Sequence, residues 1–338
     1  MIKEAIDKVV EGHNLSTAET EAVMREIMSG ETTPAQIASF ITALRIKGET
    51  ADEIAGCARI MQEHALQVNP ERKDVVDTCG TGGDATGTFN ISTTVAFVAA
   101  GAGLGVAKHG NRSVSSQCGS ADLMEALGVK IDLEPTQVAR CVDEVGIGFC
   151  FAPAFHPAMK YATPVRREIG LRTVFNVLGP LANPARARRQ LIGVYSENLT
   201  ETLADVLKAL NSERAFVVHG ADGLDELSTT GTNRISELHH GQVITYKLEP
   251  QELGLAKAGL KDLLGGALEE NAEITREILN GEGGPKRDVV LLNAAVVLVA
   301  GGKAGDFAHG IELAAESIDS GQALQKVDAL ARMSRGFG

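Results

Sequence analysis

Apolar residues in the first 68 positions recur three and four residues apart, for example at positions 37, 40, 41 and 44. This spacing is typical of helices that bury one face. Capping boxes mark three successive helix starts: Ser16-x-x-Glu19, Thr33-x-x-Gln36 and Thr50-x-x-Glu53. Gly30 and Gly48 stand where helix C-terminal caps belong. The pattern predicts a compact all-α segment that ends near residues 69–74.

After this segment, short apolar runs alternate with helical patterns. The apolar runs predict strands at 74–78, 104–107, 129–132, 147–152, 190–195 and 214–220. Helical patterns lie between several of them, at 92–101, 120–127 and 135–145. An antiparallel hairpin is predicted at 234–248, and two helices near 286–301 and 307–318 close the chain. The alternation favours an α/β fold with a mostly parallel central sheet that is covered on both faces.

Composition narrows the class of protein. The 338 residues are 44% hydrophobic and 22% charged, which is ordinary for a soluble globular protein of one large or two smaller domains. A net charge of −12 and an aromatic content of 4% without Trp argue against a nucleic-acid partner. The longest apolar runs, at 95–107 and 289–302, fall short of the ~20 residues that span a membrane. Five cysteines without metal spacing and a charged N-terminus lead us to expect a cytoplasmic protein.

The stretch "DVVDTCGTGGDATGTFNIST", residues 74–93, places four glycines between a predicted strand and a predicted helix. "GTGGDA" satisfies the G-x-G-x-x-A pattern of dinucleotide sites. However, the loop does not enter a helix at once, and Lys108 stands where a ribose-binding acid is expected. We favour a loop whose amides bind phosphate, next to a helix start at "NIST" that holds another anionic group. A generic glycine-rich turn is the alternative.

Three further motifs carry charged side chains toward predicted strand ends or loops. "AKHGNRSVSSQCGSADLMEALG" (107–128) brings up to three positive groups and several serines to the sheet edge, where ligands bind in open α/β folds. "HGADGLDELS" (219–228) crowds carboxylates that suit Mg²⁺, although a surface acidic loop explains it equally well. "YATPVRREIGLRTVFNVLGPLANP" (161–184) contains Arg166, Arg167 and Arg172, one of which could bind a substrate carboxylate. His156 has a structural role in the simplest interpretation.

Taken in order, these motifs resemble the anthranilate phosphoribosyltransferases, a family of tryptophan-biosynthesis enzymes. The residues that carry the resemblance are "DTCGTGGD", "GTFNIST", "AKHGNRSVSS", "GSAD", "HPAMK", "HGADGLDE" and the spaced pattern "VRRE-G-RT-FN-LGPL-NP". The resemblance implies transfer of the 5-phosphoribosyl group of phosphoribosyl pyrophosphate (PRPP) to the amine of anthranilate. It also implies Mg²⁺ dependence, a homodimer, and a small helical domain joined to a larger α/β domain. We place the helical domain at 1–71, completed by a segment near 165–184, and the PRPP-binding α/β domain at 72–338.

The resemblance also assigns roles to individual residues. The residues expected to bind PRPP are Gly80, Gly82, Gly83, Asp84, Thr88, Asn90, Ile91, Ser92, Thr93, Lys108, His109, Gly110, Asn111, Arg112, Ser113, Val114, Ser115, Ser116 and Ser120. Those expected to bind Mg²⁺ are Ser92, Asp225 and Glu226. Those expected to contact anthranilate are Gly80, Asn111 and Arg166, with Arg166 at its carboxylate. No covalent nucleophile is expected; Lys108 and Arg166 support the reaction by positioning and by charge.

Two rival functions remain open at this point. A pyrimidine nucleoside phosphorylase has the same architecture and runs a related glycosyl transfer with phosphate. A nucleic-acid-binding relative of the same fold would need a strongly basic face and eroded phosphate and Mg²⁺ motifs, whereas the net charge here is −12 and the motifs are intact.

Overall fold

A seven-stranded sheet forms the centre of the molecule, in a computed structural model that describes residues 1–84, 86–113 and 118–337. The strands are β1 (Val75–Thr78), β2 (Gly105–Gly110), β3 (Ile147–Phe151), β4 (Arg189–Gly193), β5 (Arg214–His219), β6 (Asn233–His239) and β7 (Gln242–Leu248). They lie in the order β3-β2-β1-β4-β5-β6-β7. Pairing is parallel from β3 through β5 and antiparallel for β6 and β7. The predicted mostly parallel sheet and the late hairpin are confirmed.

The strand order reverses between β1 and β4. From β1 the chain moves outward through β2 to β3, and it then returns to β4 on the other side of β1. In open α/β sheets this reversal leaves a crevice at the carboxyl ends of the two strands, where ligands bind. The loops after β1 and β4 border this crevice, so the topology alone points to residues 79–84 and 194–195.

Helices cover the sheet and form a separate N-terminal layer. The N-terminal helices are α1 (Ile2–Val10), α2 (Thr17–Ser29), α3 (Pro34–Lys47) and α4 (Ala51–Glu63). The helices that follow are α5 (Ile91–Gly101), α6 (Ser120–Ala126), α7 (Pro135–Arg140), α8 (Ala152–Phe155), α9 (Thr163–Ile169), α10 (Phe175–Leu181) and α11 (Leu199–Ala209). The last four are α12 (Leu268–Leu279), α13 (Pro285–Ala300), α14 (Phe307–Asp319) and α15 (Gln322–Gly336). Among the described residues, none of these helices combines the length and apolar character that crossing a bilayer requires.

The three predicted capping boxes are confirmed in full. The side chains of Ser16, Thr33 and Thr50 each accept a hydrogen bond from the amide three residues later. In each box the acidic or amide side chain at that later position binds back to the capping residue. Each cap satisfies amides that a helix start leaves unpaired, and a cap of this kind contributes about 1 kcal/mol.

Alternate residues of the central strands enter two different hydrophobic clusters. On β4 and β5, Leu191 and Phe216 pack toward α5 and α13, whereas Ile192 and Val217 pack toward the N-terminal helices. This follows from the period of two along a strand, which sends neighbouring side chains to opposite faces. The sheet is therefore buried on both faces, as its apolar strands predict.

The segment near 165–184 packs with the N-terminal helices. Helix α9 contacts α3 and helix α10 contacts α4. Apolar side chains of this segment, including Val165, Phe175 and Leu178, belong to the same cluster as those of α1–α4. The same cluster also includes residues of β4 and β5. The exact division into two domains stays a prediction.

Two sequence predictions need correction. The strand predicted at 129–132 does not form: Val129 and Ile131 are buried, but the Lys130 amide donates to Ser334 Oγ of α15 at 3.0 Å instead of pairing with a neighbouring strand. The helix predicted at 135–145 changes from α7 into a π-helix over Cys141–Val145 before it ends at Gly146. Helices α12 and α15 were not predicted; neither begins with a side-chain cap that would mark its start.

Candidate functional site

The glycine loop leaves the carboxyl end of β1 and is anchored to the neighbouring loops. The Thr81 amide donates to Gly193 O at 2.9 Å, and the Gly82 amide donates to Asp225 Oδ2 at 2.6 Å. Gly82 and Gly83 have φ values of 68° and 80°, a region that favours glycine. A Cβ on Gly80 would lie 2.8 Å from Asp225 Oδ2. The glycines are therefore required by both backbone angle and close packing.

The loop continues into the start of α5 through residues that contact a distant segment. Thr88 forms an isolated bridge with Leu264, and the Phe89 amide donates to Leu263 O at 3.2 Å. Helix α5 begins at Ile91, and the side chain of its N-cap residue, Asn90, makes no capping hydrogen bond. Asn90 instead uses its Nδ2 to bind Cys118 O at 3.1 Å. An uncapped helix start offers amides and the positive end of the helix dipole to an anion.

The side chains at the start of α5 differ in accessibility. Ser92 Oγ accepts a hydrogen bond from Lys108 Nζ at 3.3 Å, so its side chain faces this lysine. Thr93 is fully buried, and its hydroxyl has no partner among the described residues. Ile91 is buried as well. The side chains of Ile91 and Thr93 are therefore not available to a ligand, and the Ile91 amide already donates to Phe89 O at 2.8 Å.

Lys108 joins β2 to the end of β1 and the start of α5, the two elements that the glycine loop connects. Its ammonium group donates to Thr78 O at 2.8 Å, and Thr78 Oγ1 and Ser92 Oγ each lie 3.3 Å away. The side chain is 1% exposed, which is unusual for a lysine. The glycine loop and the β2 tip therefore converge on one place, and Lys108 supplies a fixed positive charge beneath it.

The expectation of up to three positive groups at this strand tip is wrong for His109. Its ring is buried, and burial lowers its pKa to about 3, so the ring is neutral. Its Nδ1 lies 2.9 Å from Gly179 O, and its ring centroid lies 5.2 Å from that of His156. Burial likewise lowers the pKa of His156 to about 4. The Nε2 atoms of both rings are buried without a protein partner in the described residues.

Arg112 lies at the surface and is already paired. Its guanidinium donates to Asp122 at 2.7 Å and to Glu125 at 2.6 Å, and it lies over the Phe151 ring. Its charge is thus compensated within the protein. Ser120 Oγ lies 3.2 Å from both the amide and the carbonyl of Asn111, which closes the loop between β2 and α6. The Ser113 amide donates to Asp122. Of the other predicted residues, Gly110 ends β2, whereas Val114, Ser115 and Ser116 lie outside the described residues.

Three carboxylates meet between the glycine loop and the loop after β5. The Asp225 amide lies 3.5 Å from Asp84 Oδ2. Burial, with the neighbouring Asp84 charge, raises the pKa of Asp225 to about 7. Burial, with the Asp225 charge, raises the pKa of Glu226 well above its usual range, although Lys108 opposes this. These carboxylates repel each other, and a cation bound between them would stabilise their ionised forms.

The donor set fits Mg²⁺ of the kind that substrate phosphates help to bind. Within the described ranges, no group of three or more His, Cys, Asp or Glu side chains is placed to hold a metal by itself. Mg²⁺ commonly takes one or two protein carboxylates and completes its shell with water and phosphate oxygens. Asp225 and Glu226 provide carboxylate oxygens, which are hard ligands, and their negative charges repel each other. Ser92 lies nearby. The role of these three residues as metal ligands stays a prediction.

Arg166 lies on α9, which packs on α3 of the N-terminal helices. It is half-buried, and burial lowers the pKa of its guanidinium. The guanidinium stacks over the Phe175 ring at 5.3 Å and has no ion pair among the described residues. A partly desolvated guanidinium without a carboxylate partner is suited to bind a carboxylate ligand through two parallel hydrogen bonds.

Sequence reasoning missed several contacts that shape the site. Arg172 donates to Gly83 O and stacks over the Tyr195 ring at 4.3 Å. Asp77 lies fully buried under the site, where its carboxylate accepts hydrogen bonds from the His109 amide at 3.1 Å and from Asn183 Nδ2 at 2.7 Å. Burial raises the pKa of Asp77 to about 6. These partners are 32 to 106 residues apart in sequence, so no local motif announces them.

Comparison with known proteins agrees with this geometry. The model of the glycosyl transferase family helical bundle domain matches residues 3–65, and that of the family's a/b domain matches residues 72–324. The chain therefore has the two-part architecture of a glycosyl transferase of this type. An anthranilate phosphoribosyltransferase from Acetivibrio thermocellus is 56% identical over 337 residues, which cover 100% of this chain and 98% of the relative.

Solved structures of anthranilate phosphoribosyltransferases also match this chain along nearly its whole length. Anthranilate phosphoribosyltransferase from Thermus thermophilus has a TM-score of 0.93 and 44% identity, over 98% of this chain and 99% of that one. The Saccharomyces cerevisiae enzyme in complex with PRPP and Mg has a TM-score of 0.90 and 30% identity, over 99% of this chain and 98% of that one. The chain belongs to the anthranilate phosphoribosyltransferase family.

Proposed function

We propose that this protein transfers the 5-phosphoribosyl group of PRPP to the amine of anthranilate, giving N-(5-phosphoribosyl)anthranilate and pyrophosphate in tryptophan biosynthesis. The observation that carries the proposal is the convergence of three segments at one edge of the sheet. The glycine loop, the buried Lys108 and the acidic pair Asp225–Glu226 meet where the strand order reverses. This set combines amide donors, a fixed positive charge and hard metal ligands, which a sugar bearing phosphates at both ends requires.

The phosphates of PRPP bind to backbone amides, and the buried Lys108 acts on them through its charge. Amides of Gly83 and Asp84 and the uncapped start of α5 provide the donors, whereas the Thr81 and Gly82 amides already donate to Gly193 O and Asp225 Oδ2. Lys108 stabilises the charge that develops on the departing pyrophosphate through its position beside Ser92. Arg112 contributes through loop shape, since its charge is already compensated by Asp122 and Glu125.

Mg²⁺ is the proposed cofactor, held by Asp225, Glu226 and Ser92. When bound, it neutralises charge on the pyrophosphate as that group leaves. Burial, together with neighbouring carboxylate charge, raises the pKa of both acids, so a bound cation would favour their ionised forms. Asp225 has a second function, which is to fix the glycine loop, because its Oδ2 accepts the Gly82 amide.

Anthranilate binds on the α9 side, with Arg166 at its carboxylate and with Gly80 and Asn111 nearby. The reaction breaks the bond between the anomeric carbon and the pyrophosphate oxygen and forms a bond from that carbon to the amine nitrogen. The electron pair of the broken bond leaves with pyrophosphate, and one amine proton passes to solvent or to pyrophosphate. The neutral amine needs chiefly to be oriented, and orientation of two bound reactants supplies several kcal/mol, about 7–11 in the best cases.

The decisive experiment follows anthranilate fluorescence in the presence of the purified protein. We expect fluorescence to decrease only when PRPP and Mg²⁺ are both present, with stoichiometric release of pyrophosphate. Controls omit PRPP or Mg²⁺ in turn. Turnover of thymidine with phosphate in place of anthranilate turnover would support the phosphorylase instead. A shift of DNA in a gel at moderate salt, without turnover, would support the nucleic-acid-binding alternative.

We further propose that the protein works as a cytoplasmic homodimer, without nucleic-acid or membrane partners. Val10 and Ile46 are 69% and 82% exposed at the ends of the adjacent helices α1 and α3, and large apolar side chains of this exposure favour burial against a second copy. An odd number of cysteines favours a reducing compartment. Light scattering coupled to size-exclusion chromatography tests the dimer: a mass of one chain at micromolar concentration would contradict it.

The proposed domain division assigns residues 1–71 and the segment 165–184 to the helical domain, and the remainder of 72–338 to the α/β domain. The packing of α9 and α10 on α3 and α4 supports it. In this division Arg166 and the glycine loop stand on opposite sides of the crevice. Closure of the two parts would bring the anthranilate carboxylate site toward the PRPP site.

A further inference from the structure

Arg172 contacts the glycine loop from a segment that packs with the N-terminal helices. It lies in the connection between α9 and α10, and its guanidinium donates a hydrogen bond to Gly83 O. The same guanidinium lies 4.3 Å from the centre of the Tyr195 ring, which follows β4. The side chain is exposed, so burial does not explain its place. The Tyr195 ring thus positions the Arg172 guanidinium, and the guanidinium donates a hydrogen bond to the Gly83 carbonyl.

The glycine loop has few other restraints near Gly83. Its earlier part is anchored by Thr81, whose amide binds Gly193 O and whose Oγ1 accepts the Tyr195 amide at 3.2 Å. Gly82 is anchored by Asp225. A Cβ added to Gly83 would have Arg172 Nη2 as its nearest neighbour, at 3.2 Å. Two successive glycines with positive φ give this part of the loop high intrinsic freedom, which a single well-placed contact can remove.

Fixing the Gly83 carbonyl also fixes the next amide. The peptide group is planar and trans, so its C=O and N–H point in opposite directions. With Gly83 O directed at Arg172, the Asp84 N–H points to the other side of the loop. That amide lies among the donors proposed above for the phosphates, and a donor that is already oriented binds an anion at a lower entropic cost.

We propose that Arg172 is a positioning residue that orients the Gly83–Asp84 peptide for PRPP binding and connects the glycine loop to the segment between α9 and α10. The proposal rests on the proposed function. Arginine suits the task because its planar guanidinium can stack on Tyr195 and donate in its own plane at the same time. A lysine ammonium can reach the carbonyl but cannot stack in this way. Arg172 touches no reacting atom, so its effect passes through the loop.

The test compares Arg172→Ala with Arg167→Ala, a matched control on α9. Arg167 is exposed and makes no ion pair among the described residues. For Arg172→Ala we expect the KM for PRPP to rise about tenfold, the size of one lost charge-assisted hydrogen bond. The KM for anthranilate and kcat should stay within about twofold to threefold. Arg167→Ala should leave all three constants unchanged.

Companion variants separate positioning from a general loss of stability. Arg172→Lys should recover only part of the PRPP affinity. Tyr195→Phe keeps the ring and should behave as the wild type, whereas Tyr195→Leu should weaken PRPP binding. Adding Tyr195→Leu to Arg172→Ala should cause no further loss, because both changes remove the same restraint. The melting temperatures of Arg172→Ala and Arg167→Ala should agree.

A second readout needs no turnover. Amide hydrogen exchange in the free protein should be faster at residues 80–84 in Arg172→Ala than in Arg167→Ala, and unchanged in the sheet. A wild-type protein that does not consume anthranilate would overturn the proposed function, while exchange would still test Arg172. An unchanged KM for PRPP in an active Arg172→Ala variant, or exchange equal to that of the control, would overturn the role of Arg172. Equal loss for both substrates with a lowered melting temperature would overturn it as well.

Discussion

Replacing Gly80 by alanine tests whether the packing of the glycine loop against the acidic pair controls activity. The added Cβ would lie 2.8 Å from Asp225 Oδ2, 3.3 Å from Asp225 O and 3.4 Å from Gly193 O. Two of these neighbours are backbone oxygens, which are fixed by the fold. The Asp225 carboxylate is therefore the group that can move. Once Oδ2 moves away, the 2.6 Å hydrogen bond from the Gly82 amide is weakened or lost.

The size of the effect follows from that hydrogen bond. A bond to a charged group is worth about 1.5–3 kcal/mol, which corresponds to a fall in kcat/KM of roughly 10-fold to 100-fold. The same displacement disturbs a proposed Mg²⁺ ligand. We therefore expect the Mg²⁺ concentration for half-maximal rate to rise together with the loss of kcat/KM, in the fluorescence assay with saturating anthranilate.

Two control variants isolate the cause. Gly305→Ala adds a Cβ where no atom of the described residues lies within 4 Å and should leave activity unchanged. Gly82→Ala likewise meets no atom within 4 Å in the part of the chain that the structure describes, but its φ of 68° imposes a strain of roughly 1–2 kcal/mol without pushing Asp225. Its half-maximal Mg²⁺ concentration should therefore shift less than that of Gly80→Ala. If Gly80→Ala kept kcat/KM and the Mg²⁺ dependence within twofold of the wild type, the inferred coupling between loop and acid pair would be wrong.

Three further predictions concern other parts of the molecule. Arg166→Ala should raise the KM for anthranilate about tenfold or more because a carboxylate loses its bidentate partner; an unchanged KM in steady-state kinetics would remove Arg166 from the site. Glu53→Ala should destabilise the protein by about 3–5 kcal/mol, because buried Lys47 and two amides lose their acceptor, and urea denaturation will measure this. His109 and His156 should make the wild type less stable as the pH falls below about 6.5, since their pKa values are near 3 and 4 when folded and they bind protons only on unfolding. The raised pKa values of Asp77, Asp225 and Glu226 act in the opposite direction above about pH 4. Each histidine contributes up to about 1.4 kcal/mol per pH unit, so the stability of His156→Gln relative to the wild type should rise as the pH falls from 6.5 to 5; a difference in melting temperature that stays constant across that range would contradict this.

The fold was predictable wherever local signals were strong. Capping boxes predicted the starts of α2, α3 and α4 because side chain and backbone bind within three residues of each other. Apolar runs predicted the strands of the sheet because both of its faces are buried. The run at 129–132 has the same alternation but no neighbouring strand, and its amide binds Ser334, 204 residues away. Local pattern cannot distinguish an extended connection under a helix from a strand.

The site was predictable in its location but only partly in its charges. Glycine-rich and acidic motifs at strand ends predicted a shared edge, because parallel strands end on the same side. The protonation of His109 and the pairing of Arg112 depend on burial and on partners at α6 and α10. Arg172 stood in a motif that predicted a carboxylate site, and its contact with Gly83 required the fold. In this protein, the formal charge of a side chain therefore predicted its role in the site less well than the glycine-rich and acidic motifs predicted where the site lies.

The chain passes between its helical layer and its sheet more than once, and this has a consequence for attempts to dissect it. The segment that carries α9 and α10 leaves the sheet after β3 and returns at β4, and its apolar side chains share one cluster with α1–α4. A truncated product that begins after α4 would present Val165, Phe175 and Leu178 to water. An isolated stretch of the first 70 residues would lack the surface on which it rests. Expression trials of separate halves should yield aggregates, and a split protein should regain activity only when both pieces are refolded together.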